Sequence, residues 1–379
     1  MRILYITVSI SAYNTGDTIY SYGIIDRLAE CATVDVLTYL TPVDKSYSYY
    51  FDRLKNKVNK IYEAEMSTID KAVKFFKYRM TFVRYSSSMH QKVKELIATS
   101  EYDVVVFDHL RMAFTIEEAK KAGCYVVLIQ HNVETANYKE ESKIKGKQVY
   151  KLKNIGLPAF EKKCMEQADT IWCITESDKT YFKSLPYISE KHMSVVVPYF
   201  PYQRIKKDYV KAKKLVITGT MSWYPNVEGV EWFVKRVFSK LHEQDPEYKL
   251  WIVGRNPDER ILKLASESVI ITGSVPSVDK YLVESDLLIV PNKLGGGAKI
   301  KIMEGIFKGI PAVVLRPSIT GYETMIPDEA FVVNNEVDYL NAITTINDNE
   351  NRKKYFVDRF IENAKRDTDI SEIVNQIPR

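Results

Sequence analysis

A run of three glycines stands between a buried apolar stretch and an apolar helical pattern in the second half of the chain. The apolar stretch is Asp286–Val290, and Gly295, Gly296 and Gly297 follow it closely. Glycine has no side chain to hold a ligand away from the backbone, and the first turn of a helix presents amide groups that attract anions. A strand, a glycine loop and a helix start in this order predict a binding site for a diphosphate group.

Charged residues follow the glycines at positions where they can hold a nucleotide. Lys299 and Lys301 place positive charge at the start of the helix predicted over Lys299–Lys308. Lys301 and Glu304 are three residues apart and therefore share one helix face. We expect the lysines to bind the diphosphate and the Glu304 carboxylate to accept hydrogen bonds from ribose hydroxyls. The alternative is an ordinary capped helix, because a carboxylate near the positive end of a helix also stabilises the fold by itself.

The elements that must position these residues are short apolar runs that alternate with helical patterns along most of the chain. The predicted strands are Arg2–Val8, Val34–Tyr39, Asp103–Phe107, Tyr125–Ile129, Thr170–Thr175, Ser194–Val197, Lys214–Thr218, Lys249–Val253, Val269–Thr272, Asp286–Val290 and Pro311–Leu315. The predicted helices include Thr18–Glu30, Met112–Ala122, Val149–Ala168, Val227–Leu241 and Lys299–Lys308. Continuous rather than alternating apolar runs indicate strands buried on both faces, and so an α/β fold with parallel sheets covered by helices.

The length of 379 residues favours two domains. The best boundary is the segment 198–213, which contains Pro198 and Pro201 and is rich in Lys and Arg. We predict a first domain over 1–197, a linker over 198–213 and a second domain over 214–365, with 366–379 returning to the first domain. Ligands bind at the carboxyl ends of the strands in such doubly wound sheets, so the two Rossmann-like domains are expected to face each other across a cleft.

Composition excludes several classes of protein. The net charge of +5 is too mild for a whole-protein nucleic-acid binder. The four cysteines, Cys31, Cys124, Cys164 and Cys173, form no CxxC pair, which favours free thiols in a reducing cytoplasm. The apolar start Met1–Ile6 is interpreted as a first strand rather than a leader. The Asp-x-Asp at Asp367–Asp369 follows no predicted strand, so no metal site is predicted.

The segment 45–94 differs from the rest of the chain. It is aromatic, it carries twelve Lys/Arg against four Asp/Glu, and it contains no clear strand. One interpretation is that one or two amphipathic helices pack on the first domain. The other is a docking face for an anionic membrane or an acidic acceptor, which would place a cytoplasmic protein at the inner face of the membrane. No nucleic-acid-binding module supports a nucleic-acid partner.

The sequence Gly-Gly-Gly-Ala-Lys-Ile-Lys-Ile-Met-Glu-Gly at 295–305 resembles the donor-site signature of a known family. This family is the retaining glycosyltransferases of the two-Rossmann (GT-B) type, family 4, in its surface-polysaccharide branch. Further segments with similar order and spacing are Gly219–Asn226, Ile252–Arg255, Thr272–Val275 and Gln130–Glu134. The resemblance covers most of the chain. It implies a UDP- or GDP-linked sugar as donor, a glycan or lipid-linked acceptor, and neither a metal nor a further cofactor.

The resemblance also implies roles for individual residues. The donor diphosphate would be bound by Gly295, Gly296, Gly297, Lys299, Lys301, Arg255 and Gly16. Glu304 would hold the ribose, and the backbone near Val275 would recognise the base. Gly219, Met221 and Asn226 would form the loop that opens the second domain. His131 would be the catalytic residue that faces the sugar, where it orients the sugar or stabilises charge rather than acting as a nucleophile.

Two departures from the family pattern keep other functions open. The first glutamate of the family's Glu-x7-Glu pair falls at Gly296 and is absent, and no Arg or Lys occurs in Gly219–Asn226. Lys299 is the best substitute for that cation and Arg255 the next. One alternative is a non-catalytic glycosyltransferase-like partner subunit. The other is a sugar-nucleotide epimerase on the same fold.

Overall fold

The computed structural model describes most of the chain as two compact units. The described residues are 1–10, 16–39, 52, 54–143, 154–188, 192–197, 205, 207–209, 213–295, 297–367, 369–375 and 377. The first unit comprises Met1–Pro198 together with Asp369–Arg379, and the second comprises Tyr199–Thr368. Gly296, most of the predicted linker and the first residues of the segment 45–94 lie outside the described residues.

The first unit is built on a seven-stranded parallel sheet with the order β3-β2-β1-β4-β5-β6-β7. Its strands are β1 Arg2–Ser9, β2 Thr33–Tyr39, β3 Lys60–Ala64, β4 Val104–Asp108, β5 Tyr125–Gln130, β6 Thr170–Cys173 and β7 His192–Val195. Its helices are α1 Gly16–Cys31, α2 Thr68–Tyr78, α3 Ser87–Thr99, α4 Ile116–Lys121, α5 Glu134–Lys143, α6 Leu157–Gln167 and α7 Glu176–Lys183. A 3₁₀ turn at Leu110–Thr115 precedes α4. The last helix of the chain, α15 Ser371–Asn375, also belongs to this unit.

The central strands of the first unit are continuous apolar runs, and their side chains are buried on both faces of the sheet. In this register Ile6 of β1 lies opposite Phe107 of β4, and Asp108 lies opposite Ile129 of β5. The first polar residues after each apolar run therefore meet at one edge of the sheet, the carboxyl edge.

The second unit has a six-stranded parallel sheet with the order β10-β9-β8-β11-β12-β13. Its strands are β8 Lys214–Thr218, β9 Lys249–Val253, β10 Val269–Gly273, β11 Leu287–Val290, β12 Ala312–Leu315 and β13 Val332–Val333. Its helices are α8 Tyr224–Phe233, α9 Ser239–Gln244, α10 Glu259–Leu262, α11 Asp279–Glu284, α12 Ile300–Phe307, α13 Glu336–Asn347 and α14 Glu350–Asp367; a π-helical turn at Val234–Phe238 joins α8 to α9, and 3₁₀ turns lie at Arg316–Ser318 and Glu329–Phe331. The strand order reverses between β8 and β11, where a doubly wound sheet opens a crevice for ligands.

The predicted α/β class with two parallel sheets is confirmed, whereas the interpretation of the segment 45–94 is partly wrong. Helices α2 and α3 are present, but β3 adds an edge strand that was not predicted. Among the described residues this strand pairs on one side only, and its Lys60, Tyr62 and Glu63 side chains interrupt the continuous apolar run that is typical of the inner strands. Among the described residues, no helix is long and apolar enough to cross a membrane.

Several predicted helices begin or end elsewhere. Of the helix predicted over Val149–Ala168, residues 149–153 lie outside the described residues. Asn154–Gly156 form a turn, and helix α6 begins at Leu157, where Pro158 suits a first turn. The helix predicted over Met112–Ala122 is a 3₁₀ turn followed by the short α4. The helix predicted over Val227–Leu241 is longer, since helical backbone extends from Tyr224 to Gln244.

Candidate functional site

The glycine loop joins β11 to α12 and packs against a tryptophan. Gly295 has φ +92° and Gly297 has φ +71°, conformations that favour glycine. A Cβ atom on Gly295 would lie 2.7 Å from the indole ring of Trp223. Trp223 precedes α8, so the loop after β11 and the loop after β8 are in contact at the point where the strand order reverses.

Two asparagines and Lys301 join these loops to α12. The Nδ2 atom of Asn292 donates to Oδ1 of Asn226 at 2.9 Å. The Lys301 ammonium donates to the same Oδ1 at 3.0 Å and to Oδ1 of Asn292 at 3.2 Å. A Cβ atom on Gly219 would lie 3.4 Å from the Lys301 ammonium. Lys301 therefore supplies a cation beside Gly219–Asn226, the segment in which the sequence has neither Arg nor Lys.

Lys299 occupies a different position. It is the N-cap residue of α12 and is buried. Its ammonium donates to the carbonyl oxygens of Gly295 at 2.6 Å and Gly297 at 3.2 Å, and it lies 5.8 Å from the ring centroid of Trp223. In this conformation Lys299 stabilises the glycine loop and carries positive charge at its base.

Glu304 lies one turn further along α12 and is buried. Burial, with a smaller contribution from Asp279, raises the pKa of Glu304 to about 7. Burial and the neighbouring charge of Lys299 lower the pKa of Lys301 to about 7, against the attraction of Glu304. No described residue donates a hydrogen bond to the Glu304 carboxylate. Two ionisable groups with opposed pKa shifts on one helix face are typical of a binding site.

Other predicted residues of the second unit follow the neighbouring strands. The Gly219 amide donates to the Val253 carbonyl at 3.1 Å, and the Met221 amide donates to the Arg255 carbonyl at 2.9 Å. Met221 is fully buried, whereas Arg255 is partly exposed. These contacts bring the loops after β8 and β9 together. Val275 lies two residues beyond β10, the edge strand on that side of the sheet.

His131 follows β5 in the first unit and is buried against three side chains. Its Nε2 atom lies 2.6 Å from Oδ1 of Asp108. The His109 ring stacks on it with centroids 3.4 Å apart, and the Tyr20 ring meets it edge-on at 4.7 Å. Thr7 donates to the other Asp108 oxygen at 2.8 Å. His131 is therefore held by β1, β4 and α1 as well as by its own strand.

Gly16 is the first residue of α1 in the first unit. The residues before it, 11–15, lie outside the described residues. No group of three or more His, Cys, Asp or Glu placed to hold a metal occurs in the described ranges. The independence of the reaction from metal stays a prediction.

Sequence reasoning missed Asp108, His109 and Asn292. Asp108 and His109 end the apolar run of β4, and Asn292 follows Pro291 after β11. A polar residue at the carboxyl end of a strand that is buried on both faces was the available signal.

Comparisons with known proteins agree with this arrangement. Residues 212–349 match the family described as Glycosyl transferases group 1. HepE from Anabaena in complex with UDP is similar over 100% of this chain and 98% of its own, with 13% identity and a TM-score of 0.63. A TarM mutant from S. aureus, bound to fondaparinux, α-GlcNAc-glycerol and UDP, covers 100% and 97% with 11% identity and a TM-score of 0.63. A glycosyltransferase from Rickettsia africae covers 99% and 97% with 14% identity and a TM-score of 0.62. No curated protein matches the chain.

The structural similarity shows the GT-B fold, with two parallel-sheet units. The family match adds a glycosyl transferase domain that includes the glycine loop, Lys301 and Glu304. The match over residues 212–349 indicates that the chain is a glycosyltransferase.

Proposed function

We propose that this glycosyltransferase moves a sugar from a UDP- or GDP-linked donor to a glycan or lipid-linked acceptor, with retention at the anomeric carbon. The product would belong to a surface polysaccharide or glycoconjugate. The proposal rests most on one observation: the Lys301 ammonium lies between the loops after β8 and β11, on the same helix face as Glu304. The transfer needs no metal and no cofactor besides the donor in this proposal.

The donor is assigned to the carboxyl edge of the second sheet. Lys301, Lys299 and the amides at the start of α12 would hold the diphosphate, because cations and a helix N-terminus both attract phosphate oxygens. Glu304 is one turn away and would accept hydrogen bonds from the ribose. UDP is the first base to test, since HepE binds UDP and UDP-glucose in its structures.

The chemical step breaks the bond between the anomeric carbon and the diphosphate oxygen. The pair of electrons leaves with the diphosphate, and its growing charge is stabilised by the lysines and the helix amides. The acceptor hydroxyl then bonds to the same face of the sugar and gives its proton to the departing phosphate oxygen. His131 would orient the transferred sugar or stabilise its positive charge, in an orientation set by Asp108.

Titration calorimetry with UDP and GDP tests the donor assignment. Replacing Lys301 by Met or Glu304 by Gln should weaken binding of the preferred nucleotide by about tenfold or more, because each change removes a charge-assisted hydrogen bond. Lys280→Met and Glu284→Gln are matched controls, since both residues are exposed on α11 of the same unit. Unchanged affinity in both site variants would remove the assignment.

The same measurements separate the alternative functions. A non-catalytic partner subunit with no donor site should bind neither UDP nor GDP. An epimerase should convert a nucleotide-sugar without any acceptor, whereas a transferase should consume the donor much faster once its acceptor is added. A thermal-shift screen of nucleotide-sugars would identify the sugar. The anomeric configuration of the product, determined by NMR, would decide between retention and inversion.

The proposed function also includes a location of the protein in the cell. We place the protein in the cytoplasm, with peripheral contact to the inner face of an anionic membrane through the segment 45–94. The positive charge of that segment supports this contact.

A further inference from the structure

Helix α2 in the first unit carries an apolar row on the side that faces solvent. Phe76 is 82% exposed and Ile69 is 75% exposed. These are the two highest values among the large hydrophobic side chains of the described residues. These residues are seven apart, so they lie on one face of the helix, and Ala72 and Phe75 lie beside them. Phe75 is 43% exposed. The row therefore lies on the outer face of α2, where a water-soluble helix normally carries polar residues.

The opposite side of α2 is anchored firmly. Ser67 and Asp70 form a capping box at the start of the helix, and the other oxygen of Asp70 accepts hydrogen bonds from the amide and hydroxyl of Ser87 at 2.9 Å. At the other end, the Tyr78 ring packs against Phe160 with centroids 5.6 Å apart. These contacts fix the rotation of α2, so the outward position of Phe76 follows from the fold rather than from a loose helix end.

The sequence around this row is strongly basic. Between positions 68 and 84 the chain has the five cations Lys71, Lys74, Lys77, Arg79 and Arg84. The one carboxylate in that range, Asp70, is buried in the capping contacts. The whole segment 45–94 is also basic, with twelve cations against four carboxylates.

We propose that the outer face of α2 docks on an anionic lipid bilayer, with Ile69, Phe75 and Phe76 entering the interface and the basic residues contacting the headgroups. A helix of this kind lies in the plane of the membrane, where apolar burial and attraction to anionic lipid act together. Two copies of this face would bring their cations together, and that repulsion disfavours self-association. Charge complementarity thus favours a lipid surface over a second copy of the chain.

This inference deepens the proposed function, because a protein docked on the bilayer would meet a lipid-linked acceptor there. That the acceptor is lipid-linked is part of the proposed function, so this step rests on it. Docking itself can be measured on vesicles without any sugar donor, whereas the donor site is measured by nucleotide binding. The two can therefore fail separately.

Sedimentation with large vesicles tests the docking surface. The full chain should bind vesicles of phosphatidylcholine with phosphatidylglycerol at low salt, bind them less at high salt, and bind pure phosphatidylcholine poorly. The double variant Ile69→Ser with Phe76→Ser should bind at least about tenfold more weakly. The double variant Arg79→Gln with Arg84→Gln, which changes two exposed cations at and after the end of α2, should lose about thirtyfold, since each cation near an anionic surface adds to binding.

Matched controls use residues of the second unit. Leu262→Ser with Val337→Ser removes two exposed hydrophobic side chains, and Lys263→Gln with Lys280→Gln removes two exposed charges. Both control variants should bind vesicles like the unchanged protein, and all variants should keep its thermal unfolding temperature and its UDP affinity.

Three results would overturn the inference. The first is no binding of the unchanged protein to anionic vesicles at low salt. The second is equal binding by the α2 variants and the controls. The third is a protein that does not bind vesicles but forms dimers in light scattering, with the dimers lost in Ile69→Ser with Phe76→Ser; this would assign the face to self-association.

Discussion

The Nε2 atom of His131 lies 2.6 Å from Oδ1 of Asp108, and both side chains are buried at the carboxyl edge of the first sheet. Burial alone would raise the pKa of Asp108, but the charge and hydrogen bond of His131, together with smaller contributions from His109 and Ser21, lower that pKa below its usual value. An ionised carboxylate only accepts hydrogen bonds, so the proton of this bond is on His131. Asp108 thereby fixes both the orientation of the ring and the nitrogen that carries the proton.

The first prediction concerns Asp108→Asn. The amide can keep the hydrogen bond to His131 but not the negative charge, and a charge-assisted bond is about twice as strong as a neutral one. We expect the turnover number of the transferase to fall about 10- to 100-fold, corresponding to about 1.5–3 kcal/mol, with little change in UDP affinity. Steady-state kinetics with the donor found by screening, together with calorimetry, checks both parts.

A double-mutant cycle separates positioning from stability. In a background of His131→Ala, the change Asp108→Asn should cost little further activity, because its effect is expected to pass through the histidine. If Asp108→Asn lowers the unfolding temperature while turnover stays as in the unchanged protein, Asp108 serves the fold alone.

The second prediction is a maximum of nucleotide-sugar affinity near pH 7. The donor needs a charged Lys301 for the diphosphate and an ionised Glu304 for the ribose, and burial brings the pKa of each to about 7 in the free protein. Above this pH the lysine must take up a proton before it can bind, and below it the glutamate must lose one. Affinity should therefore fall on both sides, by at most about tenfold per pH unit for each group.

Calorimetry with UDP-glucose between pH 5.5 and 8.5 measures this profile. The range extends to both sides of pH 7, close to the pKa of Lys301 and to that of Glu304. Lys301→Met should bind more weakly and lose the decline on the alkaline side, while Glu304→Gln should lose the decline on the acid side. A profile that stays flat in the unchanged protein would contradict the proposed roles of both residues.

The third prediction is that Glu304→Gln stabilises the protein at alkaline pH. Because the pKa of Glu304 is raised in the folded state, the folded protein holds this proton more tightly than the unfolded chain does. The free energy of unfolding therefore falls as the pH rises from the ordinary value of 4.5 to about 7, and it stays lower above that. Glutamine is neutral throughout, so the variant should gain up to about 3 kcal/mol at pH 8, less the attraction that Lys301 loses.

Urea unfolding at pH 5 and at pH 8 tests the third prediction, with Glu284→Gln as an exposed control. The gain at pH 8 should exceed the gain at pH 5. A variant that is less stable than the unchanged protein at pH 8 would mean that the ionised carboxylate has a stabilising partner in the folded state.

The inner strands and the glycine loop could be predicted from the sequence because their signals are local. Continuous apolar runs at Val104–Phe107 and Leu287–Val290 can only be buried on both faces, and three glycines before a basic helix start are a strong signal for a phosphate. Edge strand β3 was missed, since a strand that pairs on one side tolerates lysine and glutamate.

The pairing of side chains could not be predicted, because it depends on register between strands that are distant in sequence. Asp108 and His131 are separated by 23 positions and meet through the alignment of β4 with β5. Asn226 and Lys301 are separated by 75 positions and meet through the packing of α12 against the loop after β8. Periodicity gives each element separately, but the neighbours of Lys301 follow from the tertiary structure.

The last prediction concerns Gly219, which fits closely against the donor site. It has φ +149°, and a Cβ atom there would lie 2.7 Å from Nδ2 of Asn226 and 3.4 Å from the Lys301 ammonium. Gly219→Ala should therefore strain the backbone and also displace both side chains. Gly123 is the matched control, because it has φ +81° and nothing within 4 Å of its Cβ position. Gly123→Ala should cost only the backbone strain, about 1–2 kcal/mol of stability, and leave nucleotide affinity unchanged.

Gly219→Ala should lose at least as much stability as Gly123→Ala and, in addition, about tenfold in affinity for UDP, because the displaced Lys301 no longer meets the diphosphate. Chemical unfolding and calorimetry on the two variants measure these effects independently. Equal losses of stability with unchanged affinity in Gly219→Ala would show that Asn226 and Lys301 can move without affecting the ligand. In that case the diphosphate would have to bind elsewhere along the edge of the sheet.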